Sequence, residues 1–136
     1  MCTQEDVAIG ADEVRVLIVD DQAAFRSAAR TVVALADGFV VAAETETGEE
    51  AVTRAAELRP NVILMDINLP GINGIEATRR ITQAQPDVVV ILMSTYTADD
   101  LPADATSCGA SRYVHKEDLF PDVLTGAWLE HRPSTS

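Results

Sequence analysis

Cysteine is scarce in this chain. Cys2 and Cys108 are the only two, and their separation suits neither a zinc ligand set nor a disulfide framework. No apolar stretch approaches the roughly 20 residues that a bilayer-spanning helix needs. The opening residues Met1 to Asp6 are acidic and lack the basic start and apolar core of a secretory signal. Basic side chains are also few, 10 Lys and Arg against 22 Asp and Glu, for a formal net charge of −12 at pH 7. That balance argues against a general nucleic-acid binder, because phosphate contacts need clustered Lys and Arg. No internal repeat or biased tract interrupts the chain. What remains is a globular protein expected in the cytoplasm: 136 residues, 47% hydrophobic, enough for one core without a covalent or metal staple.

Apolar periodicity organises the chain. Val14 to Val19, apolar apart from Arg15, predicts a central strand. Gln22 to Ala36 predicts a helix, with Ala24, Phe25, Ala28, Ala29, Val32 and Leu35 recurring at helical spacing. A short strand over Phe39–Ala43 follows the Asp37-Gly38 break. Thr47-Gly48-Glu49-Glu50 has the form of a capping box and opens a helix to about Leu58, stopped by Pro60. Further strands are expected over Asn61–Met65, Val88–Met93 and Ser111–Val114, with a helix over Gly74–Gln85 buried through Ile75, Ala77, Thr78 and Ile81. Thr97–Cys108 predicts a weaker helix, because Pro102 lies within it. A last helix starts near Pro121 and carries Val123, Leu124, Ala127, Trp128 and Leu129. Residues 1–13 and 132–136 read as tails.

Five strands alternating with five helices predict an α/β fold, a doubly wound five-stranded parallel sheet with helices on both faces. Right-handed crossovers limit the topologies to a few, of which the flavodoxin-like order 2-1-3-4-5 is the five-strand favourite. The polar residues then become informative, because four strand-like runs end in chemistry. One ends at Asp20-Asp21, one at Asp66, one at Ser94-Thr95 and one just before Lys116. In open α/β sheets that edge is where ligands bind. Carboxylates gathered there repel one another unless a cation lies between them, and Mg²⁺ suits such oxygen ligands. An Asp66 oxygen can act as a nucleophile toward a phosphoryl group. Lys116 can place a positive charge on a phosphate oxygen, and Ser94 or Thr95 can donate a hydrogen bond. Each also has a plainer reading: Asp66 as a turn residue, Asp21 as an N-cap, Ser94 and Thr95 as a strand end, Lys116 as a solvated lysine. Their conjunction on consecutive strand ends favours the chemical one.

From about Val14 to Leu129 the chain resembles the receiver domains of two-component response regulators. The resemblance is carried by Val16-Leu17-Ile18-Val19-Asp20-Asp21, by Asp66 through Ala77, by Ile91 through Tyr96, and by Gly109 through Lys116. It implies a receiver spanning residues 14–131, in which Asp66 is phosphorylated by a sensor histidine kinase or phosphotransfer protein. Asp21 and Asp66 would hold Mg²⁺, with the backbone carbonyl of Asn68 as a further ligand and Asp20 acting largely through water. Ser94 would be the hydroxyl residue, since the family places a small residue after it and Thr95 would instead be followed by bulky Tyr96. Ser94 and Tyr113 would form the switch. The chain itself would be no enzyme, although Asp66, Ser94 and Lys116 would assist phosphoryl gain and loss. No direct DNA binding and no membrane contact are implied, and homodimerisation is an option on the face of the fourth helix.

Three positions depart from the family pattern. Glu117 stands where many receivers have Pro, His115 beside the lysine is unusual, and Pro102 falls in the fourth helix. A haloacid-dehalogenase-like phosphatase would want a second Asp at position 68, which is Asn68. A nucleotide- or flavin-binding module would want a Gly-, Ser- or Thr-rich loop after the first strand, where Asp20-Asp21-Gln22 would repel phosphate. A receiver-like interaction domain that is never phosphorylated stays open as an alternative. So does an isolated receiver from a longer DNA-binding regulator, although the expectation is a free-standing one.

Overall fold

The structure, a computed structural model, describes residues 13–95 and 107–131. Strands β1 (Val14–Val19), β2 (Phe39–Thr45), β3 (Val62–Asp66), β4 (Val89–Ser94) and β5 (Arg112–His115) form one sheet. Between and after them lie helices α1 (Ala23–Leu35), α2 (Gly48–Leu58), α3 (Gly74–Ala84) and α4 (Pro121–His131), with a 3-10 turn over Lys116–Asp118 joining β5 to α4. Every strand pair is parallel, in the order β2-β1-β3-β4-β5. That is the predicted order, and it puts the ends of β1 and β3 side by side where the winding reverses. The predicted helix over Thr97–Cys108, with Pro102, lies outside the described residues except for its last two, as do Tyr96 and the tail residues 1–12 and 132–136.

Strand alternation divides the core in two. Val16, Ile18, Val62, Leu64, Val89, Ile91 and Met93 point to one face, covered by Ala29 and Val33 of α1 and Leu124 and Ala127 of α4. Leu17, Val19, Ile63, Met65, Val90 and Leu92 point to the other, covered by Ala51 and Ala55 of α2 and Ile75, Ala77 and Ile81 of α3. β3 and β4 are buried along their whole length, as parallel strands covered on both faces must be.

The predicted bounds hold to within two residues, and the differences have local causes. Asn61 precedes β3 instead of starting it: its side-chain oxygen accepts from the Arg15 N–H at 2.8 Å. Arg15, the one polar residue of β1, donates to the carbonyls of Leu58 and Arg59 at 2.7 and 2.6 Å and so caps the end of α2. At the other end of α2, Thr47 Oγ1 accepts from the Glu50 N–H, but Glu50 returns the contact to Glu46 N–H instead of Thr47, so the capping box is displaced by one residue. Burial follows the apolar spacing of two helices only in part. Ala24, Ala28 and Leu35 of α1 are exposed, and the buried stripe runs through Ala29, Val33 and Ala36 with Phe25 and Val32 partly buried. In α4, Leu129 is exposed, leaving Leu124 and Ala127 as the buried residues.

The start of α3 is packed most tightly against the end of β3. Asn73 caps the helix by accepting from the Glu76 N–H at 2.9 Å, and the Gly74 N–H donates to the Ile67 carbonyl at 2.8 Å. A Cβ at Gly74 would overlap the backbone carbonyl oxygen of Asp66, which cannot swing away as a side chain would. Gly74→Ala is therefore expected to cost about 2–3 kcal/mol, as overpacking against a fixed backbone does, and urea titration followed by circular dichroism checks it.

Candidate functional site

Asp20 and Asp21 follow β1, Asp66 ends β3, and Lys116 follows β5, so all four emerge at one edge of the sheet. Continuing the strand alternation puts Asp20, Asp66 and Lys116 on the α1/α4 side. The Lys116 ammonium lies 2.6 Å from Asp20 Oδ2 and 3.4 Å from Asp66 Oδ2. It also stands 4.6 Å from the centroid of the Phe25 ring, a cation–π contact from the first turn of α1. Asp20 and Asp66 are buried while Asp21 is exposed, and each offers a carboxylate oxygen within 4.8 Å of the others.

Backbone groups fix the two buried carboxylates. Asp20 Oδ1 accepts from the Gln22 N–H at 2.8 Å, and the Arg26 guanidinium donates to the Asp20 carbonyl at 2.8 Å. Asp66 Oδ1 accepts from the Asn68 N–H at 3.3 Å. The plainer reading of Asp21 as an N-cap fails, because Gln22 occupies the N-cap of α1 and makes no side-chain capping bond. Ser94, the last residue of β4, is buried, whereas Thr95 is exposed. Tyr113 is half-buried against the Leu17 side of the core, and burial, with Cys108 nearby, raises its hydroxyl pKa.

The Asp66 carboxyl is raised from an ordinary 3.8 to about 6, first by burial and then by the neighbouring Asp20 charge, with Lys116 and the Asn68 N–H opposing. When all are ionised, three carboxylates face one ammonium, which leaves a deficit of two positive charges, the charge of one Mg²⁺. Oxygen ligands around an exposed carboxylate suit that ion.

Sequence reasoning missed several supporting residues. Phe25 was read only as part of a helix stripe, and its place over Lys116 needs the fold to be seen. Glu49 accepts from the Ile72 N–H at 3.1 Å and so ties the loop after β3 to the start of α2. The His115 ring bonds to Thr95 O and to Glu117 N–H, both at 3.1 Å.

This fold and edge define a class, the receivers of two-component signalling, and the comparisons agree. Residues 16–125 match the family described as the response regulator receiver domain, to which the chain belongs. The response regulator GacA of Pseudomonas protegens is 39% identical over 103 residues, 76% of this chain and 48% of that protein. The transcriptional regulatory protein DegU of Brevibacillus brevis is 38% identical over 119 residues, 88% of this chain and 50% of that protein. The chain thus spans about half the length of these relatives. Among solved structures, a two-component response regulator of the LuxR family from Aurantimonas sp. SI85-9A1 superposes with a TM-score of 0.78 at 32% identity, covering 91% of this chain and 90% of that one. The response regulator domain of Thermotoga maritima CheB gives 0.76 at 30% identity, covering 86% and 95%. Among the described residues, no helix is long and apolar enough to cross a membrane.

The raised Asp66 carboxyl carries a stability consequence. Between about pH 4 and 6 the folded state keeps a proton that the unfolded state has lost, so this group makes stability fall as pH rises through that window. Without divalent cations, Asp66→Asn should raise the melting temperature by a few degrees above pH 6 and hardly change it near pH 4. Thermal scans across that range test the sign.

Proposed function

We propose that this chain is the phosphoacceptor receiver of a two-component phosphorelay, with Asp66 as the residue that takes the phosphoryl group. The observation that carries this reading is the buried Asp66 carboxylate beside the Lys116 ammonium, with Asp20 and Asp21 within reach. A carboxylate oxygen of Asp66 attacks the phosphorus of a phosphohistidine on a sensor kinase or phosphotransfer protein. The P–O bond forms as the P–N bond breaks, and the imidazole leaves with the electron pair and takes a proton from solvent. Lys116 meets the charge on one phosphoryl oxygen, and the Ser94 hydroxyl donates to another. Mg²⁺, when bound by Asp21, Asp66 and the Asn68 carbonyl with Asp20 helping through water, would supply the charge balance that the carboxylates lack. Asp20 is already committed to Lys116 and the Gln22 N–H, which supports Asp21 as the direct ligand.

On this reading the chain is an acceptor in the cytoplasm, no enzyme in its own right, and residues 14–131 form the functional unit. Phosphorylation adds charge and acceptor oxygens at the sheet edge. Ser94 turns toward them and Tyr113 follows inward, biasing an equilibrium between two forms of the β5 and α4 surface. That surface contacts the output partner or a second copy of the chain. The burial of Ser94 and exposure of Thr95 support Ser94 as the switch hydroxyl.

Incubation with acetyl phosphate and Mg²⁺ should add one phosphoryl group to the wild type and none to Asp66→Asn; labelling of that variant would move the acceptor elsewhere. By calorimetry, Asp21→Ala should weaken Mg²⁺ binding by more than the roughly tenfold typical of losing an outer partner, and by more than Asp20→Ala does. Amide NMR with beryllofluoride should show a weak response in Ser94→Ala and a nearly normal one in Thr95→Ala. The reverse order would shift the switch hydroxyl by one residue.

A further inference from the structure

His115 ends β5 and lies opposite Ser94 in the parallel register of β4 and β5. Strand alternation puts it on the same side of β5 as Tyr113, away from Asp66 and Lys116. Its Nδ1 accepts from the Glu117 N–H at 3.1 Å, so in the neutral ring the proton is on Nε2, which donates to the Thr95 carbonyl at 3.1 Å. The two bonds therefore select one tautomer. They join the residue just past Ser94 to the residue just past Lys116, across 20 residues of sequence on one side and two on the other. A proline at 117 has no N–H to offer, so the second bond depends on Glu117 being there.

We propose that His115 is a positioning residue for phosphoryl acceptance: its ring holds the strand ends bearing Ser94 and Lys116 as one unit, so that hydroxyl and ammonium reach the same phosphoryl group together. This rests on Asp66 being the acceptor. The two donors come from different strands, and β5 is short and at the sheet edge, paired among the described residues with β4 alone. The β4–β5 ladder ends at the Ser94–His115 pair, and the imidazole adds a link between the residues just past it. Loosening it would leave each donor present but no longer set relative to the other, which lowers the rate without removing the acceptor.

Labelling with acetyl phosphate and Mg²⁺ tests this in the full chain, alongside hydrogen exchange at the Glu117 amide. His115→Leu makes neither bond and should label roughly five- to tenfold more slowly, with Glu117 N–H unprotected. In His115→Asn the side-chain oxygen can still accept from Glu117 N–H; the variant should keep that protection and recover part of the rate, a rescue that bulk packing alone would not produce. Glu117→Pro leaves the histidine in place and should slow labelling in the same direction, and adding it to His115→Leu should cost little more. Wild-type rates in His115→Leu and Glu117→Pro overturn the positioning role while the acceptor reading stands. A wild type that takes no label overturns the acceptor reading, and the role of His115 with it.

Discussion

Lys116 carries a charge into a place that water hardly reaches, and it is tolerated there because two carboxylates meet it. Asp20 is fully buried, Asp66 nearly so, and the ammonium lies between them. A buried ion pair adds little to stability compared with a well-packed apolar core, but breaking one partner away leaves an uncompensated charge and is costly. The three side chains therefore constrain one another, and through them the ends of β1, β3 and β5. The Phe25 ring closes the remaining side of the ammonium with a face that is electron-rich and dry. Removing the lysine would leave two like charges facing each other in a poorly solvated pocket.

A parallel sheet suits this arrangement because all its strands end in the same direction. The apolar stretches Val16–Val19, Val62–Met65 and Val89–Met93 bury both faces of the sheet. Each gives way to polar residues only where the chain leaves the core. Strand alternation then does a second task. Asp20, Asp66 and Lys116 fall on the α1/α4 side, and Ser94, Tyr113 and His115 on the α2/α3 side. The proposed acceptor and the residues proposed to respond to it thus lie on opposite sides of the sheet edge, with the His115 ring bonded to Thr95 after β4 and to Glu117 after β5.

Much of this was legible in the sequence because the strands are long apolar runs and their ends are chemically distinct. The strand order, the carboxylate cluster and the place of Lys116 followed from pattern and resemblance together. The α1 stripe did not. Its residues include five alanines, and small apolar side chains sit equally well on a wet or a dry face, so two stripes one residue apart fit the pattern. What selects the real one is Phe25 reaching Lys116, with Arg26 and Arg30 paired to Glu44 on β2, contacts between elements that no local pattern contains. Spacing alone does not orient α4 either: the helix is apolar around much of its surface, and Leu129 is exposed. The contacts of His115 are not legible in the sequence, because its partner Thr95 is brought near by the β4–β5 register.

The same charge imbalance sets the terms on which the proposed phosphoryl acceptance would occur. Three carboxylates against one ammonium leave the pocket negative, and the Asp66 carboxyl is raised to about 6, by burial first and then by the Asp20 charge. A phosphoryl group is itself an anion, so it meets a pocket that opposes it until positive charge has been added. A divalent cation and a proton both relieve the deficit, but they act differently. A proton on Asp66 removes the charge that makes the carboxylate a nucleophile, whereas a cation held by the exposed Asp21 would lower the Asp66 pKa and keep that carboxylate ionised. On the proposed function a cation would therefore precede the phosphoryl group, and Asp21, exposed beside two buried partners, is the carboxylate it would meet first.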